Sequence, residues 1–485
     1  MRLIFIRSLN EYLLIQRADE YQPHQPHQPH KPYKPYKPHQ PSHHTQFLFI
    51  FKKINCVIGR ERGKSGWFCS DFCRSKSASH VSGADNCILL KFGTMKKIYA
   101  LFLSAALCLL FFACKKEPDF EYYYYTPEEY RVLTQYLTLE ENPFSYTITF
   151  PKHLQKNGSS PRQVERDKVV LGRVLFYDKH LSKDGKISCG SCHRQSIGFS
   201  DDLPISRGVF NRAGTRNAMA LASVASFSTY YGTDLNGISA GRFFWDNRAS
   251  TAAAQNRSSM INPMEMDMTM EGIVQAVENQ PYYQPLFRNA YYGDRMVTAD
   301  RINESIAHFI NAMGSFRSKF DEEASRATNH MNFTRYDQSF LAFNDLENMG
   351  KALYLDHCAI CHTRDMGRPE IDFANNGLDP GQDPGVGGIS GRESEKGTFK
   401  VPMLRNIAVT GPYMHDGRFQ TLDQVLEHYS SNIQDLPNLS PWLNNGSTAP
   451  GMNLSDLDKQ ALIAFLNTLT DEKFLKDQRF SDPFR

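Results

Sequence analysis

The chain has no excess of charge of either sign. Its 55 Lys and Arg are nearly matched by 52 Asp and Glu, leaving +3 over 485 residues. That balance gives nucleic acid no electrostatic argument as a partner. Spare cysteine is missing too. Of ten cysteines, Cys56, Cys69, Cys73 and Cys87 precede Met95, and Cys108 lies inside an apolar run. Beyond Cys114 only four remain, in two close pairs. None is left over for a disulfide framework, and no zinc set is completed. The apolar run at residues 98–113 falls short of a comfortable membrane span. From about residue 22 to 41 the chain repeats His-Gln-Pro and Lys-Pro-Tyr, a composition that cannot build a packed core.

These features organise the N-terminus. Residues 1–94 are expected to lie outside the mature protein, as upstream or low-complexity sequence. Met95 opens a better start, with Lys96 and Lys97 ahead of the apolar run and Phe111-Phe112-Ala113-Cys114 at its end. A small residue before Cys at that point resembles a bacterial lipoprotein signal, although Phe111 stands where Leu is usual. An ordinary secretory signal is the alternative. In the lipoprotein reading residues 95–113 are removed, Cys114 is lipidated, and the protein sits in the cell envelope or periplasm, anchored to a membrane. Residues 114–160 then form a tether and N-terminal segment.

What is present is a motif used twice: Cys189-Gly190-Ser191-Cys192-His193 and Cys358-Ala359-Ile360-Cys361-His362. Cys-x-x-Cys-His is the attachment pattern of c-type haem, two thiols forming thioethers and the adjacent His reaching the iron. One copy alone could be a redox dithiol or half a zinc site. Two copies in an exported chain point to two covalent haems.

Apolar spacing places these motifs on helices. From about Pro161 a helical pattern runs through Val164, Val170, Leu171, Val174 and Leu175 and ends near Asp178, just before the first motif. Leu346, Met349, Leu353 and Tyr354 make a similar approach to the second. Ser455 is the expected N-cap of a closing helix whose apolar face is Leu457, Ala461, Phe465, Leu466 and Leu469. Residues 377–391, rich in Gly, Pro and Asp, read as a surface loop. The expected fold is mainly α: two tandem cytochrome c-type haem domains with long loops, at residues 161–335 and 336–485.

Around these sites, over about residues 160–475, the sequence resembles the bacterial di-haem cytochrome c peroxidases and the related MauG-like enzymes. The resemblance is carried by Leu171-Gly172-Arg173-Val174-Leu175-Phe176, Arg216-Asn217-Ala218, Phe244-Trp245-Asp246-Asn247-Arg248, Asn262-Pro263-Met264-Glu265-Met266 and Gly411-Pro412-Tyr413-Met414-His415-Asp416-Gly417. It implies a peroxidatic haem held by His193 in the N-terminal domain, an electron-transfer haem held by His362 in the C-terminal one, and a calcium ion between them. By the same resemblance Trp245 lies between the haems as an electron relay. Glu265 is the distal-pocket acid and Gln255 the distal amide. Asn217, by its side chain, and Thr410 and Pro412, by their carbonyls, are the calcium ligands, hard oxygens that suit Ca²⁺.

Two positions depart from the typical peroxidases. A His that closes the peroxidatic iron is replaced, in an ungapped alignment, by Val209, which cannot ligate. His180 is a weak alternative ligand. The distal Met of the electron-transfer haem is replaced by Tyr429, with Met414 as runner-up. A phenolate lowers the iron potential and a thioether raises it. Both departures resemble MauG-like enzymes, but the surface Trp of such an enzyme, two residues before the second motif, is Asp356 here.

The first expectation is therefore a peroxidase that reduces hydrogen peroxide to water with electrons from a small redox protein, a cytochrome c or cupredoxin. The second is a MauG-like oxidase of a protein or organic substrate. The third is a non-enzymatic di-haem electron carrier, against which Gln255 and Glu265 argue, because a carrier needs no proton shuttle beside an open iron. Homodimerisation is compatible with all three, and the sequence does not fix the oligomeric state.

Overall fold

Glycine decides how the two main helix pairs meet. Helix α1 is Pro127–Tyr136, α2 Arg166–Tyr177, α3 Ala252–Ile261, α4 Met270–Glu278, α5 Tyr283–Ala290 and α6 Ala299–Ala312. Then follow α7 Lys319–Arg326, α8 Asp345–His357, α9 Leu422–Ser431 and α10 Asp456–Asn467. On α2, a Cβ at Gly172 would stand 1.9 Å from the carbonyl oxygen of Ser305 on α6 and 3.0 Å from Phe309 Cβ. On α8, a Cβ at Gly350 would stand 1.8 Å from the carbonyl of Ala461 on α10 and 2.9 Å from Phe465 Cβ. The same close crossing is thus built twice, and each copy leads into a Cys-x-x-Cys-His motif. Any side chain at either glycine would push the paired backbones apart.

The computed structural model describes residues 124–155, 164–222, 224–227, 240–378, 382–444 and 450–485. The low-complexity tract, the signal at 95–113 and Cys114 lie outside the described residues. The described chain is mainly helical, as expected, and none of its helices is long and apolar enough to cross a membrane.

Two buried clusters organise the packing. The first gathers Val170, Leu171, Val174 and Phe176 of α2 against Ile302, Ile306 and Phe309 of α6. The second gathers Phe320, Phe340, Phe343, Tyr354, Leu462 and Phe465. The expected border at 335/336 is crossed in both directions. Phe320 and Ala324 of α7 belong to the second cluster, while Phe474, Leu475 and Phe480, from beyond α10, return to the first. That return is pinned by hydrogen bonds: Tyr177 Oη donates to the Phe480 carbonyl at 2.7 Å and Arg173 Nε to that of Ser481 at 2.7 Å.

Caps fix the helix starts. Asn344 and Glu347 form a capping box at α8, and Ser455 with Asp458 forms one at α10, so the expected Ser455 cap is present. One expected core residue is corrected. Leu457 is 54% exposed, and Leu462 takes a place on the buried face with Ala461, Phe465 and Leu466. The described part of residues 377–391 is mostly exposed or half-buried loop, as expected, with a few positions buried. Gly377, Leu378, Gly385 and Gly387 are buried, and residues Gly387–Ser390 form a helical turn.

Two antiparallel ribbons complete the fold: β1 Ala240–Phe243 with β2 Ala249–Thr251, and β3 Phe373–Ala374 with β4 Phe399–Lys400. Beneath the second cluster Asp321 is buried against Arg405 at 2.8 Å and His153 at 3.4 Å. Burial alone would raise its pKa, but the Arg405 guanidinium and His153 outweigh it and hold the carboxyl well below the usual range.

Gly350→Ala should destabilise the fold by about 1–3 kcal/mol or more through overpacking. Chemical denaturation of the holoprotein checks this. An unchanged midpoint would mean that α8 and α10 do not cross as closely as described.

Candidate functional site

A single cavity of about 600 Å³ is lined by Cys189, Cys192 and His193 together with Cys358, Cys361 and His362. At the first motif Ser188 and Ser191 cap a helical turn over Cys189–Cys192 that follows α2 closely. A Cβ at Gly190 would meet the Tyr177 ring at 2.4 Å, so the motif's small residue is a packing requirement. The second motif leaves α8 directly into the turn Ala359–His362.

The two imidazoles are prepared alike. His193 Nδ1 lies 2.9 Å from the Phe199 carbonyl, and His362 Nδ1 lies 2.9 Å from that of Pro402. A carbonyl only accepts, so Nδ1 carries the proton in both and Nε2 is the ligating nitrogen. Burial lowers the pKa of each ring and keeps it neutral, the form that binds metal. Burial pushes the thiols of Cys189 and Cys358 up to about 12 and that of Cys192 up to about 11. A redox dithiol needs a depressed thiol pKa, so these pairs are unsuited to that chemistry. Paired buried thiols and a neutral, carbonyl-oriented His, twice on one mostly apolar wall, fit covalently attached haem.

Glu265, Gln255, Trp245, Tyr429, Met414, Asn217, Thr410 and Pro412 line this same cavity. Trp245 stands in the turn between β1 and β2. Its indole Nε1 donates to the Asn217 carbonyl at 2.9 Å, and its own carbonyl accepts from Lys400 N of β4 at 2.8 Å. Asn217 N in turn donates to the His415 carbonyl at 2.7 Å. Beside this strap, Arg216 bridges buried Asp246 at 2.6 Å and Asp383 at 2.7 Å.

Glu265 is half-buried, and its Oε1 accepts from Asn262 Nδ2 at 2.7 Å. Gln255, on α3, donates from Nε2 to Ser259 Oγ at 3.0 Å. Val209 is fully buried, and its N–H donates to the Glu265 carbonyl at 2.8 Å. A Cβ on neighbouring Gly208 would meet the Met264 carbonyl at 2.2 Å. The loop that would carry a closing ligand is therefore locked flat against the segment that carries Glu265. His180 is corrected as an alternative ligand: its ring is 57% exposed and paired at 2.8 Å with buried Asp178, away from the cavity.

Tyr429, on α9, and Met414 converge on one residue. Asn376 Nδ2 lies 3.4 Å from Tyr429 Oη and 3.6 Å from Met414 Sδ. Burial pushes the Tyr429 phenol up to about 12, against the pull of the Asn376 hydrogen bond. Asn217, Thr410 and Pro412 share a wall of the cavity. The Asn217 amide nitrogen is committed to the carbonyls of Leu203 at 3.1 Å and Pro204 at 3.2 Å.

Two residues escape sequence reasoning. Asn262 stands in a quoted motif, where its Asn-Pro turn signal was visible, yet its role appears only once its amide is seen on Glu265. Asn376 gives no signal, since its partners lie 38 and 53 residues away. Elsewhere Glu165, Glu304 and His308 cluster, but the Lys168 ammonium, 2.7 Å from Glu304 and 3.1 Å from Glu165, already neutralises that group.

Comparison with known proteins places this cavity. Residues 166–329 match the family described as "Di-haem cytochrome c peroxidase". The chain is 31% identical to the methylamine utilization protein MauG of Methylorubrum extorquens over 310 residues, 63% of this chain and 79% of that protein. It is 32% identical to the cytochrome c551 peroxidase of Nitrosomonas europaea over 315 residues, 63% of this chain and 81% of that protein. A solved MauG-like protein associated with microbial copper homeostasis superposes with a TM-score of 0.55 at 28% identity, over 70% of this chain and 98% of the other.

Arg216→Met should lower the unfolding free energy by about 1.5–3 kcal/mol, because it strips a charged partner from buried Asp246. Urea denaturation reads this directly. No change would show that the bridge beside Trp245 carries no load.

Proposed function

Because the chain belongs to the di-haem cytochrome c peroxidase and MauG-like family, an oxidoreductase family that acts on peroxide and carries two c-type haems, we propose that it reduces hydrogen peroxide to water with electrons from a cytochrome c or cupredoxin. The observation that carries this is one cavity holding His193, Glu265 and Gln255, with the adjoining loop position filled by Val209. When bound, the haem irons supply the redox chemistry that breaks the O–O bond. His193 and His362 would hold them through Nε2, since the Phe199 and Pro402 carbonyls take the Nδ1 protons. Glu265 takes a proton from the near peroxide oxygen and returns it to the leaving oxygen. Asn262 fixes the carboxylate by donating to Oε1, and Gln255 offers its amide from the facing helix. Trp245 is bonded into both ribbons' surroundings and offers an indole between the two sites. The balance is two electrons and two protons per peroxide, giving two waters.

The same reading takes the two halves as tandem haem domains and Asn217, Thr410 and Pro412 as a calcium seat bracing them. It also takes Cys114 as the lipid anchor of an envelope protein, supported only by the sequence around it. A second reading, the MauG-like oxidase, is favoured by Tyr429, which lines the cavity at a position that the resemblance gives to a methionine in typical peroxidases. The carrier reading is not retained, given the peroxidase relatives.

Glu265→Gln should cut peroxide turnover by about 10²-fold or more while both haems stay attached. Unchanged turnover at full haem content would remove Glu265 from the mechanism. An optical spectrum of fully oxidised protein should change promptly on adding one equivalent of peroxide. A spectrum that moves only after one electron is supplied would mean that another ligand closes the His193 site.

A further inference from the structure

Tyr429 and Met414 compete for one place, and the wall of the cavity contains a device that separates them. Asn376 follows β3 on a short strap whose backbone is fixed on both sides. Its carbonyl accepts from His428 Nε2 at 3.0 Å, and the neighbouring Asn375 carbonyl accepts from Ser440 N at 2.9 Å. His428 and Tyr429 are adjacent on α9, so the helix that presents the phenol also clamps the strap that reaches it. The Asn376 side chain then points one nitrogen at two acceptors, Tyr429 Oη at 3.4 Å and Met414 Sδ at 3.6 Å. Met414 itself is held in the left-handed region, φ +74°, an uncommon conformation for a bulky residue.

An amide nitrogen has two N–H bonds, but its two acceptors here are unequal. A thioether is a weak acceptor. A phenolate oxygen forms charge-assisted hydrogen bonds about twice as strong as neutral ones. The same donor therefore favours the tyrosine as an anionic ligand far more than it favours the methionine. We infer that Asn376 is the positioning residue that presents Tyr429, rather than Met414, to the haem held by His362, by donating one N–H to the phenol oxygen while the other holds the Met414 sulfur aside. This rests on the reading of His362 and Tyr429 as the ligand pair of the second haem. It adds a determinant of that haem's potential, because phenolate lowers and thioether raises it.

The test uses holoprotein carrying both haems. In Asn376→Leu the phenolate-to-iron absorption of the oxidised protein should be lost, a thioether-ligated spectrum should appear, and the potential of the second haem should shift upward. Asn376→Asp, which keeps the shape but donates no N–H when ionised, should do the same and serves if the leucine variant does not fold. Adding Met414→Leu to either should abolish the thioether spectrum. If Tyr429→Phe loses the absorption but both Asn376 variants keep the wild-type spectrum and potential, the role given to Asn376 is overturned and the ligand reading stands. If Tyr429→Phe leaves the spectrum intact, the tyrosine is no ligand, and the reading and this inference fall together.

Discussion

Three hydrogen bonds hold the two sides of the cavity to one another, and the site depends on them. Lys400 N of β4 donates to the Trp245 carbonyl, the Trp245 indole Nε1 to the Asn217 carbonyl, and Asn217 N to the His415 carbonyl, a continuous strap. The motifs at 189–193 and 358–362 line one cavity beside that strap. Trp245 is held at both ends, its backbone carbonyl by Lys400 N and its indole by the Asn217 carbonyl. The Asp246–Arg216–Asp383 bridge beside it links the same surroundings through charge.

Burial then sets the chemistry of each side chain on that wall. It keeps both imidazoles neutral and all four thiols protonated, which suits ligation and attachment and disfavours thiolate chemistry. It leaves every polar group needing a partner, and each partner chosen also orients the group: Phe199 for His193, Pro402 for His362, Asn262 for Glu265, Asn376 for Tyr429. The flattened loop at Val209 is part of the same arrangement, because its N–H satisfies the carbonyl of Glu265.

Much of this was legible in the chain. The helix before each Cys-x-x-Cys-His motif and the cap at Ser455 are where they were expected. The failures share one cause. Leu457 matched the apolar period but is 54% exposed, and within residues 377–391 Gly377, Gly385 and Gly387 are buried. His180 was near the motif in sequence and turned to Asp178 in space. Periodicity and composition report what a segment could bury, and the facing segment decides what it does bury.

Glu265, Trp245 and Val209 entered only through resemblance to a family; the sequence by itself determined the anchoring groups, two Cys-x-x-Cys-His motifs. These are local, because covalent attachment and ligation require particular residue types at fixed short spacings. Only the tertiary structure decided that both motifs, Glu265 and Trp245 line one cavity, that Gly172 and Gly350 make the same helix crossing twice, and that Asn262 and Asn376 reach the oxygens of Glu265 and Tyr429. Those are contacts between segments far apart in the chain, set by close packing and by the need of buried polar groups for partners, and neither constraint is written in any short stretch of residues.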